Sequence, residues 1–256
     1  MSFINKNMQK EADQILVFLK NTFSKNKINS AIIAVSGGID STISLTLISK
    51  AISPENVFPV LMPYGDQDMT DAMTICEWNQ IPTENIIVKN IKSDVDNLCI
   101  SLNISQNEIM RKGNIMARVR MIIVYDIAKN KQGLVVGTEN KSEHYLGYFT
   151  RFGDGASDIE PIVHLYKTQV RQLAQYFEIP NEILTKKPSA GLWKDQTDEN
   201  ELGFDYEAAD LVLKEIVDNK KDTSEINIEN IPQEIVEKVI KRIKNQAFKL
   251  EVPYRL

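Results

Sequence analysis

Apolar and polar positions in this chain fall into blocks. Met8, Ala12, Ile15, Leu16, Leu19 and Phe23 recur at helical spacing, which predicts an amphipathic helix over 8–23. Short apolar runs follow at 31–35, 57–62, 86–88 and 134–136. They do not alternate with polar residues, the pattern of strands covered on both faces. Helical patterns fill 40–52, 68–79, 93–101 and 107–130, and two more close the chain at 206–219 and 232–247. Strand–helix alternation of this kind predicts an α/β fold, a doubly wound and mostly parallel sheet with helices on both faces. Two stretches break the rhythm. GTENKSEHYLGYFTRFGDGASDIEPI, at 137–162, holds four glycines and little periodicity. Its aromatics Tyr145, Tyr148, Phe149 and Phe152 argue for an ordered, functional loop. A second such loop spans 185–205, and no linker divides the chain, so a single domain is expected over 1–256.

Composition narrows the class. Of 256 residues, 43 % are hydrophobic and 25 % charged, a globular balance in a chain long enough for a full core. A net charge of -5 gives no global drive toward nucleic acid. Cys76 and Cys99 lack CxxC or His-rich spacing, which argues against a zinc site or disulfide framework and for core thiols in a reducing compartment. The N-terminal stretch MSFINKNMQKEADQ has no apolar leader core, and no run approaches the roughly 18 apolar residues of a membrane span. A cytoplasmic protein is expected, with neither nucleic-acid nor membrane partners.

The chemistry starts at AIIAVSGGIDST, residues 31–42. A buried strand ends in Ser36-Gly37-Gly38, and a helix opens with Asp40, Ser41 and Thr42. Glycines admit positive φ and close ligand approach. Backbone N–H groups at such a turn, with the helix dipole behind them, favour an anion such as phosphate. No GxxxxGK[ST] occurs, so this is not a Walker A loop. A plain strand–turn–helix connection capped by Asp40 would read similarly.

SGGIDS resembles the SGGxDS signature of the PP-loop ATP pyrophosphatases. GNIMARVRM (113–121), LVVGTENKSEHYLGYFTRFGDGASDIEPI (134–162), LYKTQVRQLA (165–174) and KKPSAGLWKDQTDENELGF (186–204) resemble the NAD synthetase family, of the ammonia-dependent, single-domain type. The similarity runs in order from about residue 10 to 219. It implies an adenine nucleotide alpha-hydrolase-like fold. It also implies a reaction: ATP adenylates the carboxylate of deamido-NAD, pyrophosphate leaves, and ammonia displaces AMP to give NAD.

The resemblance assigns roles. Ala34, Val35, Ser36, Gly37, Gly38, Ile39, Asp40 and Ser41 match the ATP-binding loop, joined by Thr138, Lys167 and Ser189. Asp40 and Glu143 match the magnesium ligands, and with Lys167 make the catalytic set. Arg118, Arg151, Asp158 and Lys249 match deamido-NAD contacts. Two departures stand out. Arg151 occupies a position where the family usually has lysine, and Phe248-Lys249 stands where many relatives carry His-Lys. Tyr145, Tyr148 and Phe149 either stack on a ligand ring or pack their loop. His144 and His164 have no serine or cysteine partner in pattern and are assigned no catalytic role. The resemblance also implies a homodimer, to which Ile115, Val119, Ile122 and Ile123 of the long helix would contribute unless they are buried within the chain. Two rival readings remain: another PP-loop enzyme amidating or thiolating a different substrate, and a nucleotide-binding module without turnover.

Overall fold

The structure, a computed structural model, describes residues 7–193 and 196–254. Four short strands, β1 Ser30–Ala34, β2 Val57–Leu61, β3 Ile87–Val88 and β4 Gly133–Val136, form one parallel sheet in the order β3-β2-β1-β4. Ile32 lies between Phe58 and Val135, and Ile159 adds one parallel bridge beside Val136 at the outer edge.

The lack of alternation in the strands follows from helices on both faces. Ala31 and Ile33 pack into a core with Leu19 of α1 (Met8–Asn26), Ile43 and Leu47 of α2 (Ile39–Ile52), Ile75 of α3 (Thr70–Trp78) and Val170 of α7 (Lys167–Tyr176). Ile32 and Val60 face a second core with Val95 of α4 (Lys92–Ser101) and Met116, Val119 and Val124 of α5 (Ile109–Lys131). The expected doubly wound architecture is therefore the one observed. Helix α2 is buried almost all round. Its hydroxyls are tolerated where they donate back to the helix, Thr46 to Thr42 O at 2.9 Å and Ser49 to Leu45 O at 2.8 Å.

A third core lies under α6 (Lys141–Leu146), α10 (Tyr206–Leu213) and α11 (Gln233–Gln246), built on Leu146, Tyr166, Tyr206, Val212 and Val236. The helix expected at 206–219 is α10 followed by one π-turn, Lys214–Asp218. Both irregular loops contain a hidden helix: α6 in the first and α9 (Asp198–Leu202) in the second. Helices α7 and α8 (Asn181–Leu184) lie where periodicity assigned no element. Among the described residues, no helix is long and apolar enough to cross a membrane.

The strand order fixes where a ligand can sit. From β1 the chain moves outward through β2 to β3, then returns to the other side of β1 as β4. The order reverses between β1 and β4, and a crevice opens at the carboxyl ends of those two strands. The turn after β1 carries Ser36-Gly37-Gly38; the turn after β4 carries Gly137 and Thr138.

Candidate active site

The turn after β1 requires glycine at its first position. Gly37 has φ +77°, and a Cβ there would stand 2.7 Å from Asp71 Cβ and 2.9 Å from Ala72 N. Gly38 is the N-cap of α2 and supplies no capping side chain. Asp40 is thus inside the helix, and its carboxylate is free for other work; the capping alternative does not hold. The turn's amides are held by its own hydroxyls. Ser36 N donates to Ser41 Oγ at 3.3 Å and Gly38 N to Ser36 Oγ at 3.2 Å, while Ser41 Oγ donates to Gly38 O at 3.0 Å.

Lys167 is the centre of the site. It opens α7, behind the N-cap Tyr166, whose N–H donates to Gln169 Oε1 at 3.0 Å. Its side chain is 3 % exposed, so it is not a helix-surface charge. The ammonium donates to Asp40 Oδ2 at 2.5 Å and Glu143 Oε1 at 2.8 Å, and lies 5.1 Å from the Tyr206 ring centroid. Burial alone would lower this lysine, but Asp40 and then Glu143 outweigh it and hold the ammonium above the usual lysine range. Burial pushes the Glu143 carboxyl up, Lys167 opposes the rise, and Asp40 adds to it.

The neighbours that hold this trio were not evident from sequence. Asn140 caps α6, accepting from Glu143 N at 3.0 Å, while its amide donates to Asp40 Oδ1 at 2.9 Å. One side chain therefore orients both acids. The Lys167 amide donates to Ser142 Oγ at 2.8 Å, and Ser142 in turn donates to Asp210. Asp210 Oδ2 also accepts from Thr168 N at 2.9 Å, which ties α6, α7 and α10 together behind the site. The Asn-x-x-Glu spacing was the one available signal for Asn140.

Thr138 sits half-buried at the end of β4. Val35 N donates to Val60 O at 3.1 Å and Ile39 packs in the core, so Ala34, Val35 and Ile39 frame the turn without exposing polar side chains. Ser189 is exposed, and its Oγ accepts from Gly191 N at 3.1 Å, the turn-hydroxyl geometry. Arg118 is exposed on α5 and donates to Arg151 O at 3.3 Å, which brings those two together. The Arg151 guanidinium lies 5.5 Å from the Phe152 ring centroid and 5.7 Å from that of Phe248. Asp158 Oδ2 accepts from Val135 N at 2.7 Å, on the edge of β4. Lys249 donates to Gly147 O at 2.6 Å and Phe149 O at 2.9 Å, and Arg242 donates to Leu146 O at 2.9 Å. The C-terminal cations thus bind the carbonyls that end α6, the helix carrying Glu143.

The histidines and cysteines stand apart from this centre. His164 Nε2 is 2.7 Å from Glu11 Oε1, and the His144 ring stacks against Phe149. Both cysteines are buried and free, and burial pushes the Cys76 thiol up to about 12. Tyr148 donates to Glu201 Oε2 at 2.9 Å, so it joins its loop to α9.

The chain is similar to known proteins along nearly its whole length. A sequence model of the NAD synthase family matches residues 11–253. The chain is 41 % identical over 242 residues to the NH(3)-dependent NAD(+) synthetase of Thermococcus sibiricus, covering 94 % of each. It is 35 % identical to that of Fusobacterium nucleatum over 256 residues, 99 % of this chain and 97 % of the relative. Among solved structures, it resembles an NMN synthetase from Francisella tularensis with a TM-score of 0.85 and 29 % identity, covering 98 % of this chain and 99 % of that one. An NH3-dependent NAD synthetase from Campylobacter jejuni matches with a TM-score of 0.81 and 28 % identity, covering 98 % and 100 %. On these matches, over nearly its whole length, the chain belongs to the NAD synthase family.

Proposed function

We propose that this chain amidates deamido-NAD with ammonia at the expense of ATP, giving NAD, AMP and pyrophosphate. The observation that carries this reading is the convergence of Asp40, Glu143 and Lys167 beside a glycine turn at the sheet's switch point. The turn and Lys167 would hold the triphosphate. The two carboxylates converge on one cation, as the Lys167 ammonium between them demonstrates. Among the described residues, no group of three or more protein ligands forms a complete metal cage. Two hard carboxylate oxygens completed by phosphate and water suit magnesium, and Asp40 and Glu143 would be its protein ligands. Bound there, the metal supplies neutralisation of charge building on the departing pyrophosphate. The chain's own residues do the rest by position and charge: Asn140 orients both acids, and Lys167 meets the leaving phosphates.

The direct test is NAD formation from ATP, magnesium, deamido-NAD and ammonium by the purified chain. Because the Francisella protein is an NMN synthetase, the same assay with the mononucleotide acid identifies the substrate. Preference for the mononucleotide would replace the dinucleotide reading. Pyrophosphate release that ignores both acids would favour a different PP-loop reaction, and no release at all would favour a binding module.

Arg118 donates to the Arg151 carbonyl, and both are proposed to bind the acid substrate together with Asp158 and Lys249. Arg118→Ala and Arg151→Ala should each raise KM for deamido-NAD by about 10- to 100-fold, the usual value of a charge-assisted hydrogen bond. KM for ATP should move far less. An equal loss toward ATP would place these residues at the nucleotide instead.

Free ammonia, and not glutamine, is the proposed nitrogen source. Glutamine use needs a nucleophile such as a thiolate, activated to form a thioester. Cys76 is buried and held as a thiol, and Cys99 is buried in α4. Turnover with ammonium-free glutamine should be negligible beside that with ammonium chloride. Cys76→Ser and Cys99→Ser should leave the ammonia reaction near normal, and comparable rates with the two nitrogen sources would defeat the assignment. The whole chain is proposed to act as one synthetase unit that pairs as a homodimer. Of the residues expected to support pairing, Val119 is buried and Ile122 is 60 % exposed.

A further inference from the structure

Asp198 opens α9 and is 2 % exposed. It is not the cap of that helix: Thr197 is, accepting from Asn200 N at 3.3 Å. Oδ2 of Asp198 accepts from the Tyr206 hydroxyl at 3.0 Å. Oδ1 is enclosed and has no hydrogen-bond partner among the described residues. The Tyr148 hydroxyl is near, but its proton is committed to Glu201. A carboxylate oxygen stripped of water without a donor weakens the ligand-free protein. Burial accordingly pushes this carboxyl above its usual range, with Lys167 pulling the other way. Costs of this kind collect at functional sites.

The surroundings of Asp198 indicate its use. Tyr206, which it holds by the hydroxyl, is the ring beside the Lys167 ammonium. Its charge acts on both Lys167 and Glu143. Of the acids whose charge reaches this ammonium, Asp40 and Glu143 bond to it and the buried Asp198 does not. On the proposed reaction, a divalent cation would draw on Asp40 and Glu143 together. Lys167 would then face the phosphates with neither carboxylate left to hold it from behind.

We propose that Asp198 is a positioning residue for the adenylation step: its spare Oδ1 takes the Lys167 ammonium when Asp40 and Glu143 engage the divalent cation. This rests on the function proposed above. It makes α9 part of the site.

The test compares Asp198→Asn with Tyr206→Phe. Asparagine keeps an acceptor for the Tyr206 hydroxyl and removes the charge. In the ligand-free protein, Asp198→Asn should melt at or above the wild-type Tm, because a buried acid in surplus has gone. Its deamido-NAD-dependent pyrophosphate release should fall about 100-fold in kcat, with KM for ATP changed less than about threefold. Tyr206→Phe keeps ring and charge and should lose only about fivefold in kcat. A role limited to anchoring the Tyr206 hydroxyl gives the reverse order, with Asp198→Asn harmless. That result overturns the proposal, and so does a lowered Tm that accounts for the lost activity. Wild-type protein inactive on deamido-NAD would sink the functional reading and this role with it. An active wild type with an equally active Asp198→Asn variant would sink this role alone.

Discussion

Lys167→Met should abolish turnover and also unsettle the folded protein before any ligand is added. Among the described residues, the lysine is the one cation bonded to Asp40 and Glu143, and Asp198 feels its charge. Methionine fills most of the volume but leaves the acids facing one another. Removing one partner from a buried ion pair costs about 3–5 kcal/mol. For a chain of this length that is a fall of about 10 °C in Tm. The pH dependence should carry the signature. Burial already raises the Glu143 carboxyl, and loss of the ammonium removes the main influence opposing that rise. A carboxyl whose folded pKa exceeds its unfolded value stabilises fully below the unfolded value and loses that contribution as pH rises through the folded one. The variant should therefore be more stable near pH 5 than near pH 8. Thermal unfolding across that range checks it, and a deficit independent of pH would show that packing, not charge, was lost.

Asp40→Asn and Glu143→Gln should behave in the opposite way toward stability and almost as severely toward catalysis. Each removes one acid from a centre that has a surplus of them, so Tm should stay within a few degrees of wild type. Each also removes a proposed metal ligand. A metal's stabilisation of a developing phosphoryl charge is worth several kcal/mol, and a loss of about 10³-fold in kcat is expected for either variant. Measurement at saturating magnesium separates weak metal binding from a failed step. Near-normal turnover in both variants would sink the metal assignment. Wild-type Tm beside collapsed kcat distinguishes these acids from Lys167, which should fail in both.

The strands were legible because they are short, apolar and bounded by turn residues, while their order in the sheet depends on the long crossovers between them. The phosphate turn was legible for a local reason: two glycines at the end of an apolar run. Asn140, Asp198 and Tyr206 were not. Nothing in the periodicity around Asn140 says that its amide will meet Asp40, because that contact is set by where β4 lands beside β1. Asp198 lies in a polar stretch of the kind that usually stays in water, and only the packing of α9 against α10 buries it. Lys249 shows the converse. Its match to a substrate contact was local, whereas its hydrogen bonds to the carbonyls of Gly147 and Phe149 depend on the fold. Helix α6 escaped periodicity because six residues are too few to show it, although its Asn-x-x-Glu start was in view.

The reversed strand order also has a consequence for how the protein comes into being. Asp40 meets Asn140 at a separation of 100 residues and Lys167 at a separation of 127. Strands β1 to β3 can pair while the later chain is still unmade, but the crevice needs β4. Contacts this distant in sequence close late and slowly. A nascent chain ending before β4 would hold the glycine turn with neither Glu143 nor Lys167 beside it. Nucleotide can stabilise only a state that binds it, so ATP should give no help to a half-built sheet and should favour the finished one. Fragments released by early termination or by cleavage within α5 would carry the phosphate signature without the means to spend ATP.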